Sequence, residues 1–157
     1  PSRDSLRAQL QTTSIPLTAE EEDELTRRFL EVIRTQEVRE ALSRRGATEL
    51  LRERPFAVFD DEHRLMTGRF DRVAIQRTSA NGSAALGDRS EASAENAVVI
   101  DFKTDHCSEA ELADRVAHHR PQMEAYRRAA AARWSIPLSN VTAELVFTRI
   151  GRVVRVA

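Results

Sequence analysis

The seven residues Val98-Val99-Ile100-Asp101-Phe102-Lys103-Thr104 constrain this chain more than any other stretch. Val98, Val99, Ile100 and Phe102 are β-branched or aromatic residues of the kind that fill buried strands, yet a carboxylate and an ammonium interrupt the run at alternate positions. Strand side chains alternate in direction, so Asp101 and Lys103 share one face, with Cα atoms ~6.5–7 Å apart. Charged side chains are seldom fully buried unless paired. An edge strand with one wet face, or a salt bridge to another element, would account for such a pair. So would a metal-dependent phosphodiester-cleaving site, in which the carboxylate holds a hard divalent cation and the lysine sits over the scissile phosphate or the attacking water. That second reading requires another carboxylate and a scaffold to carry it.

Size and charge set the outer limits. At 157 residues, 41% of them hydrophobic, the chain suits one domain, 1–157, with one core. With 24 basic against 25 acidic residues, it has no global attraction for nucleic acid, so any such affinity must come from a local patch or a bound cation. The lone Cys107 excludes an internal disulfide and fits a reducing compartment. No apolar run is long enough to span a membrane, and the N-terminus has no signal-peptide pattern. The start at Pro1 reads as a cut from a larger polypeptide.

Residues 1–14 are polar, with Leu6 and Leu10 one helical turn apart, and read as the frayed end of a helix begun upstream. Thr18 followed by Glu21 forms a capping box with acids in the first turn. Leu25, Phe29, Val32 and Ile33 then follow at helical spacing and predict one buried face. The helix is expected to run on through Val38, Ala41 and Leu42 to a stop at Gly46. Leu51 to Phe59 and Leu65 to Gln76 read as a hairpin around the polar turn Asp60-Asp61-Glu62-His63, with Pro55 implying an edge position. Residues 78–97 read as a flexible loop. After the central strand, Ser108 and Glu111 cap a helix, Pro121 predicts a kink or a fresh start, and Gln122 and Tyr126 share a face four residues apart. Val141 to Thr148 and Arg152 to Val156 read as a terminal hairpin. Three consecutive strands before a single crossover helix predict an α/β domain with a mixed central sheet flanked by helices.

Taken in order, Arg52-Glu53-Arg54-Pro55-Phe56, Gly68-Arg69-Phe70-Asp71, Asp101-Phe102-Lys103-Thr104 and Gln122-Met123-Glu124-Ala125-Tyr126 resemble the C-terminal nuclease domain of RecB- and AddA-type helicase–nucleases. These belong to the PD-(D/E)XK superfamily, and the resemblance runs from about Leu17 to the C-terminus. It implies a restriction-endonuclease-like core (αβββαβ). It also implies a DNA-cleaving domain, acting exonucleolytically on single strands fed by a linked ATP-dependent helicase and a second subunit, in double-strand break repair and recombination. The setting implied is the bacterial cytoplasm, associated with the nucleoid.

Carried over residue by residue, the resemblance makes Asp71, Asp101 and the backbone carbonyl of Phe102 ligands of Mg²⁺ or Mn²⁺. It makes Lys103 the group that orients the attacking water and offsets charge in the transition state. Gln122 and Tyr126 would contact the substrate backbone or brace the lysine, Glu53 would act structurally or behind the ligands, and Thr104 would bond locally. Related nucleases place a metal-binding His on their first helix, but no His precedes His63 here. Either that ligand lies upstream of Pro1 or the site works without it, and a fragment lacking it is expected to hold metal weakly. His63 is expected in solvent and His119 near the Gln122 face. Arg120, Arg127 and Arg128 are solvated helix charges or, as a group, guides for a strand. Two other classes stay open. One is a nuclease-like scaffold or strand-binding module without catalysis. The other is a hydrolase on an unrelated α/β fold, for which there is no Gly-rich phosphate loop or Ser-His-Asp arrangement.

Overall fold

The computed structural model describes residues 2–12, 16–43, 46–60, 62–78 and 93–156. Three helices come first: α1 (Arg3–Gln11), α2 (Ala19–Val32) and α3 (Gln36–Leu42). Strands β1 (Glu49–Phe59), β2 (Leu65–Arg77) and β3 (Ala94–Lys103) follow, then helix α4 (Leu112–Trp134) and strands β4 (Val141–Phe147) and β5 (Arg152–Arg155). The five strands form one mixed sheet in the order β1-β2-β3-β4-β5. Every neighbouring pair is antiparallel except β3 and β4, which run parallel across the α4 crossover. The expected α/β architecture is therefore present, and β1 is the edge strand that Pro55 requires. No described helix is long and apolar enough to cross a membrane.

Helix α4 covers one face of the sheet. Its Met123, Ala129 and Ala130 are fully buried, and the two alanines let the helix backbone come close to the strands. Beneath it lie Val73, Ile75, Val99, Leu145 and Phe147. Each such side chain contributes roughly 1.5–3 kcal/mol on burial. At the β1–β2 end, Phe56 stacks on Phe70 with ring centroids 4.4 Å apart, and Tyr126 of α4 meets both edge-on at 5.8 and 5.5 Å. Gly68 makes that stack possible, because a Cβ there would stand 2.6 Å from the Phe56 Cζ. On the other face, Val38 and Ala41 of α3 pack with Ile100 and Val146.

Several expectations are corrected. Helix α1 starts within the chain, where the Ser2 side chain caps it by accepting the Ser5 amide at 3.2 Å, so it does not continue from upstream. The capping box at Thr18 and Glu21 is present, but α2 and α3 are separate helices, and α3 ends at Leu42, before Gly46. The apolar face of α2 is only partly buried. Val32 packs against the cluster of Val38, Ile100 and Val146, whereas Leu25 and Phe29 are 44% and 42% exposed and line a cleft of about 870 Å³ with Val38, Phe102 and Val146. Residues 94–97, expected in the loop, begin β3, where their backbones pair with the end of β2 despite the polar Glu95 and Asn96. The rest of the expected loop, 79–92, lies outside the described residues, as does Asp61 of the β1–β2 turn. Pro121 does not restart a helix, for α4 runs through it. Packing of Met123 and the alanines beyond the proline holds the helix against the cost of one lost hydrogen bond.

Candidate active site

The register of the sheet places a fork at its centre. β2 pairs with β3 from Arg77 as far as Arg72 opposite Ile100, and the ladder then stops. Beyond that point β3 stays with β4 to Lys103 opposite Phe147, while β2 stays with β1 to Leu65 opposite Phe59. One further step of the β2–β3 register would set Asp71 against Asp101. The same count across β1 and β2 sets Glu53 against Asp71, so three acidic residues share one register row although their side chains do not converge. Side-chain alternation also breaks here. Phe70 and Val73 both enter the core under α4, and Glu53 adopts a φ of 46°, in the left-handed region.

Asp71 closes the fork. Its Oδ2 accepts the Phe102 amide at 2.9 Å, replacing the missing backbone partner on β2 with a carboxylate. A strand residue directs its N–H and C=O toward the same edge, so the Phe102 carbonyl is also turned toward this gap. Lys103, by contrast, gives its carbonyl to the Thr148 amide at 2.9 Å on the β4 side.

Asp101 is 4% exposed. Burial pushes its carboxyl above the ordinary aspartate range; the adjacent Lys103 opposes that rise and the negative charge of Asp71 adds to it. Lys103 Nζ stands 2.7 Å from Asp101 Oδ2, an oxygen that is buried and meets no donor in hydrogen-bond geometry among the described residues. The expected shared face of Asp101 and Lys103 is thus a direct ion pair.

Helix α4 supplies the third wall. Gln122 Oε1 accepts from Lys103 Nζ at 3.0 Å, and its Nε2 donates to the Tyr126 hydroxyl at 3.1 Å. The amide orientation is set by this chain, since a protonated lysine can only donate and the amide nitrogen cannot accept. Tyr126 is in turn wedged against Phe56 and Phe70, so the ammonium is held by the aromatic core. His119, one turn before Gln122, faces the same site. Its Nε2 lies 3.8 Å from Asp105 Oδ2, and burial, helped by the positive Lys103 and by His118, holds its pKa below the usual histidine value. Asp105, just past the end of β3, is brought in because α4 returns across that end of the strand.

Other expected residues fall elsewhere. Glu53 is exposed, with Arg69 as a loose partner at 3.7 Å, and its side chain does not join the two aspartates. The Thr104 carbonyl accepts from Arg149 Nε at 2.7 Å. His63 sits in the exposed turn, as expected. Arg120 and Arg127 are not simply solvated charges. Arg120 donates to the Val156 carbonyl at 2.9 Å, and Arg127 donates to the Val141 and Leu138 carbonyls at 2.9 and 3.1 Å, tying α4 to the strand ends.

The donors at the fork suit a hard divalent cation. Two carboxylates and a backbone carbonyl are all oxygen, the Asp101 carboxylate is buried with Lys103 as its ion-pair partner, and the two like charges raise the cost of leaving the pair bare. Among the described residues no third His, Cys, Asp or Glu completes a cage.

Comparison with known families agrees with this geometry: the model of the PD-(D/E)XK nuclease superfamily matches residues 2–155. No curated protein matches the chain.

Proposed function

Since the chain belongs to the PD-(D/E)XK nuclease superfamily, we propose that it is a metal-dependent deoxyribonuclease whose working residues are Asp71, Asp101 and Lys103. The observation that carries this reading is the fork itself. It brings a carboxylate from each of two strands, a strand carbonyl and a lysine braced by Gln122 to one place.

Asp71, Asp101 and the Phe102 carbonyl would hold Mg²⁺ or Mn²⁺. Once bound, the cation supplies Lewis acidity at the scissile phosphate and a nucleophile at neutral pH. Lys103, held between Asp101 and Gln122, orients the attacking water and offsets the negative charge that builds on phosphorus as water adds and the ester oxygen leaves. Gln122 and Tyr126 act through the lysine, which they keep in a single position. None of these groups reads a base edge, so cleavage is independent of sequence. The series of four motifs supports a finer setting. In it, single strands are delivered by linked ATP-driven helicase domains with a second subunit and degraded from an end, in double-strand break repair in the cytoplasm.

Degradation of single-stranded DNA in Mg²⁺ by the chain, or by the parent polypeptide where helicase domains are attached, tests the core of this reading. Loss of at least a hundredfold in rate on Asp101→Ala is expected. Equal activity of the two forms would refute the assignment.

A further inference from the structure

The β1–β2 hairpin does not end at the fork. Past Asp71, β2 runs six more residues to Leu65, still paired with β1, and overshoots the β2–β3 ladder by ~20 Å. One face of this arm is fixed to the core through Phe56 and Phe70 under α4. The other face is bare. Arg69, Thr67 and Leu65 follow one another along it on β2, and Ala57 and Phe59 lie opposite Thr67 and Leu65 on β1. All five are exposed.

We infer that this face is a single-stranded nucleic-acid track leading away from the cleavage site, ending in a base-stacking platform made by Phe59 and Leu65. The inference rests on the nuclease reading above, and four observations carry it. The row starts two residues from Asp71, the carboxylate assigned to phosphodiester chemistry, and a strand cleaved there must leave along some surface next to Asp71. Arg69 is the first side chain on that row, and its only ion pair among the described residues is the 3.7 Å contact with Glu53, between side chains 65% and 67% exposed. Such a pair is weak enough for a phosphate to displace. Thr67 and Ala57 between them form a low floor with one hydroxyl. At the tip, Phe59 and Leu65 are 66% and 59% exposed and directly opposed. A large aromatic and a large aliphatic at the end of a cation-bearing strand are the two parts single-strand sites combine, an electrostatic path and a stacking surface. Because the arm's other face is packed, the platform is held at a fixed distance from the fork.

The test is equilibrium binding of a fluorescein-labelled twelve-residue oligothymidylate to the chain in Ca²⁺, read without turnover. Phe59→Ala is expected to weaken binding at least fivefold, the lower bound for loss of one stacked base. Phe59→Trp should bind like the parent, and Phe59→Leu should be as weak as Phe59→Ala. Arg69→Ala should reduce both affinity and its salt dependence. Unchanged thermal midpoints would show that the exposed substitutions leave the fold intact. Parent-like binding by Phe59→Ala overturns the track, and parent-like binding by Phe59→Leu does so too, marking the tip as an apolar contact for a protein. Cleavage in Mg²⁺, measured separately, keeps the two ideas apart. Loss of the track with cleavage intact leaves the nuclease standing, whereas Phe59-dependent binding with no cleavage by the chain or by its parent polypeptide sustains the track and removes the nuclease.

Discussion

The Asp71 carboxylate accepts the Phe102 amide at 2.9 Å, so a side chain of one strand completes the hydrogen-bond ladder of the next at the point where the backbones part. This gives Asp71 a structural duty as well as a chemical one, and two substitutions separate them. Asparagine keeps an oxygen that can accept the amide but loses the charge. Asp71→Asn should therefore keep its stability within about 0.5 kcal/mol while losing cleavage, whereas Asp71→Ala should lose about 1–3 kcal/mol as well, from the orphaned Phe102 N–H. Thermal or urea unfolding beside a DNA degradation assay reads both. Equal destabilisation by the two would show that the hydrogen bond contributes nothing.

Lys103 is positioned from α4 through Gln122 and Tyr126. Gln122→Leu keeps the side-chain volume and removes the brace, and a lysine free to move by an ångström should slow cleavage roughly ten- to a hundredfold. Tyr126→Phe removes only the hydroxyl that Gln122 donates to, while leaving the edge-on contacts with Phe56 and Phe70. It should therefore act in the same direction and more weakly, with stability nearly unchanged. The fall should appear in kcat more than in KM, since neither residue contacts the substrate in this scheme. A change confined to KM would place Gln122 on the DNA instead.

How much of this was legible in the sequence differs from residue to residue. The two-residue spacing of Asp101 and Lys103 and the four-residue spacing of Gln122 and Tyr126 are local geometry, so the shared faces they predict are present. The hairpin carrying Asp71 was legible for the same reason. What failed depends on partners distant in the chain. Ala94 to Ala97 look like loop because their side chains are small and polar, yet their backbones pair with the end of β2. Pro121 looks like a breaker because its local cost is visible, while the compensating burial of Met123, Ala129 and Ala130 is not. Leu25 and Phe29 have the spacing of a buried face, but spacing cannot tell whether anything packs against it. Arg120 and Arg127 look like solvated charges, and only the fold shows the strand-end carbonyls that accept their hydrogen bonds.

Gly68 is present for the ring above it. Gly68→Ala would push a methyl to 2.6 Å from the Phe56 Cζ and disturb the stack that holds Tyr126. Overpacking of this kind costs about 1–3 kcal/mol. Because Tyr126 braces Gln122, the variant should also lose cleavage at temperatures well below its unfolding midpoint. Activity unchanged in a destabilised Gly68→Ala protein would separate the aromatic cluster from the lysine brace.

The buried Asp101 ties stability to pH and to metal. Its carboxyl titrates above the ordinary value in the folded chain, chiefly from burial, so between the two values the folded state binds the proton that the unfolded state has released. In the absence of a divalent cation, stability should therefore fall as pH rises from the ordinary aspartate value, 3.8, through the elevated folded one, and then level off. Asp101→Asn removes the buried charge and should be the more stable protein at pH 7 in chelator. Adding Mg²⁺ should reverse the comparison, raising the thermal midpoint of the parent and leaving that of Asp101→Asn in place, because a cation that binds only the folded state stabilises it by mass action. A Mg²⁺ shift of equal size in both proteins would place the cation somewhere other than the Asp71–Asp101 fork.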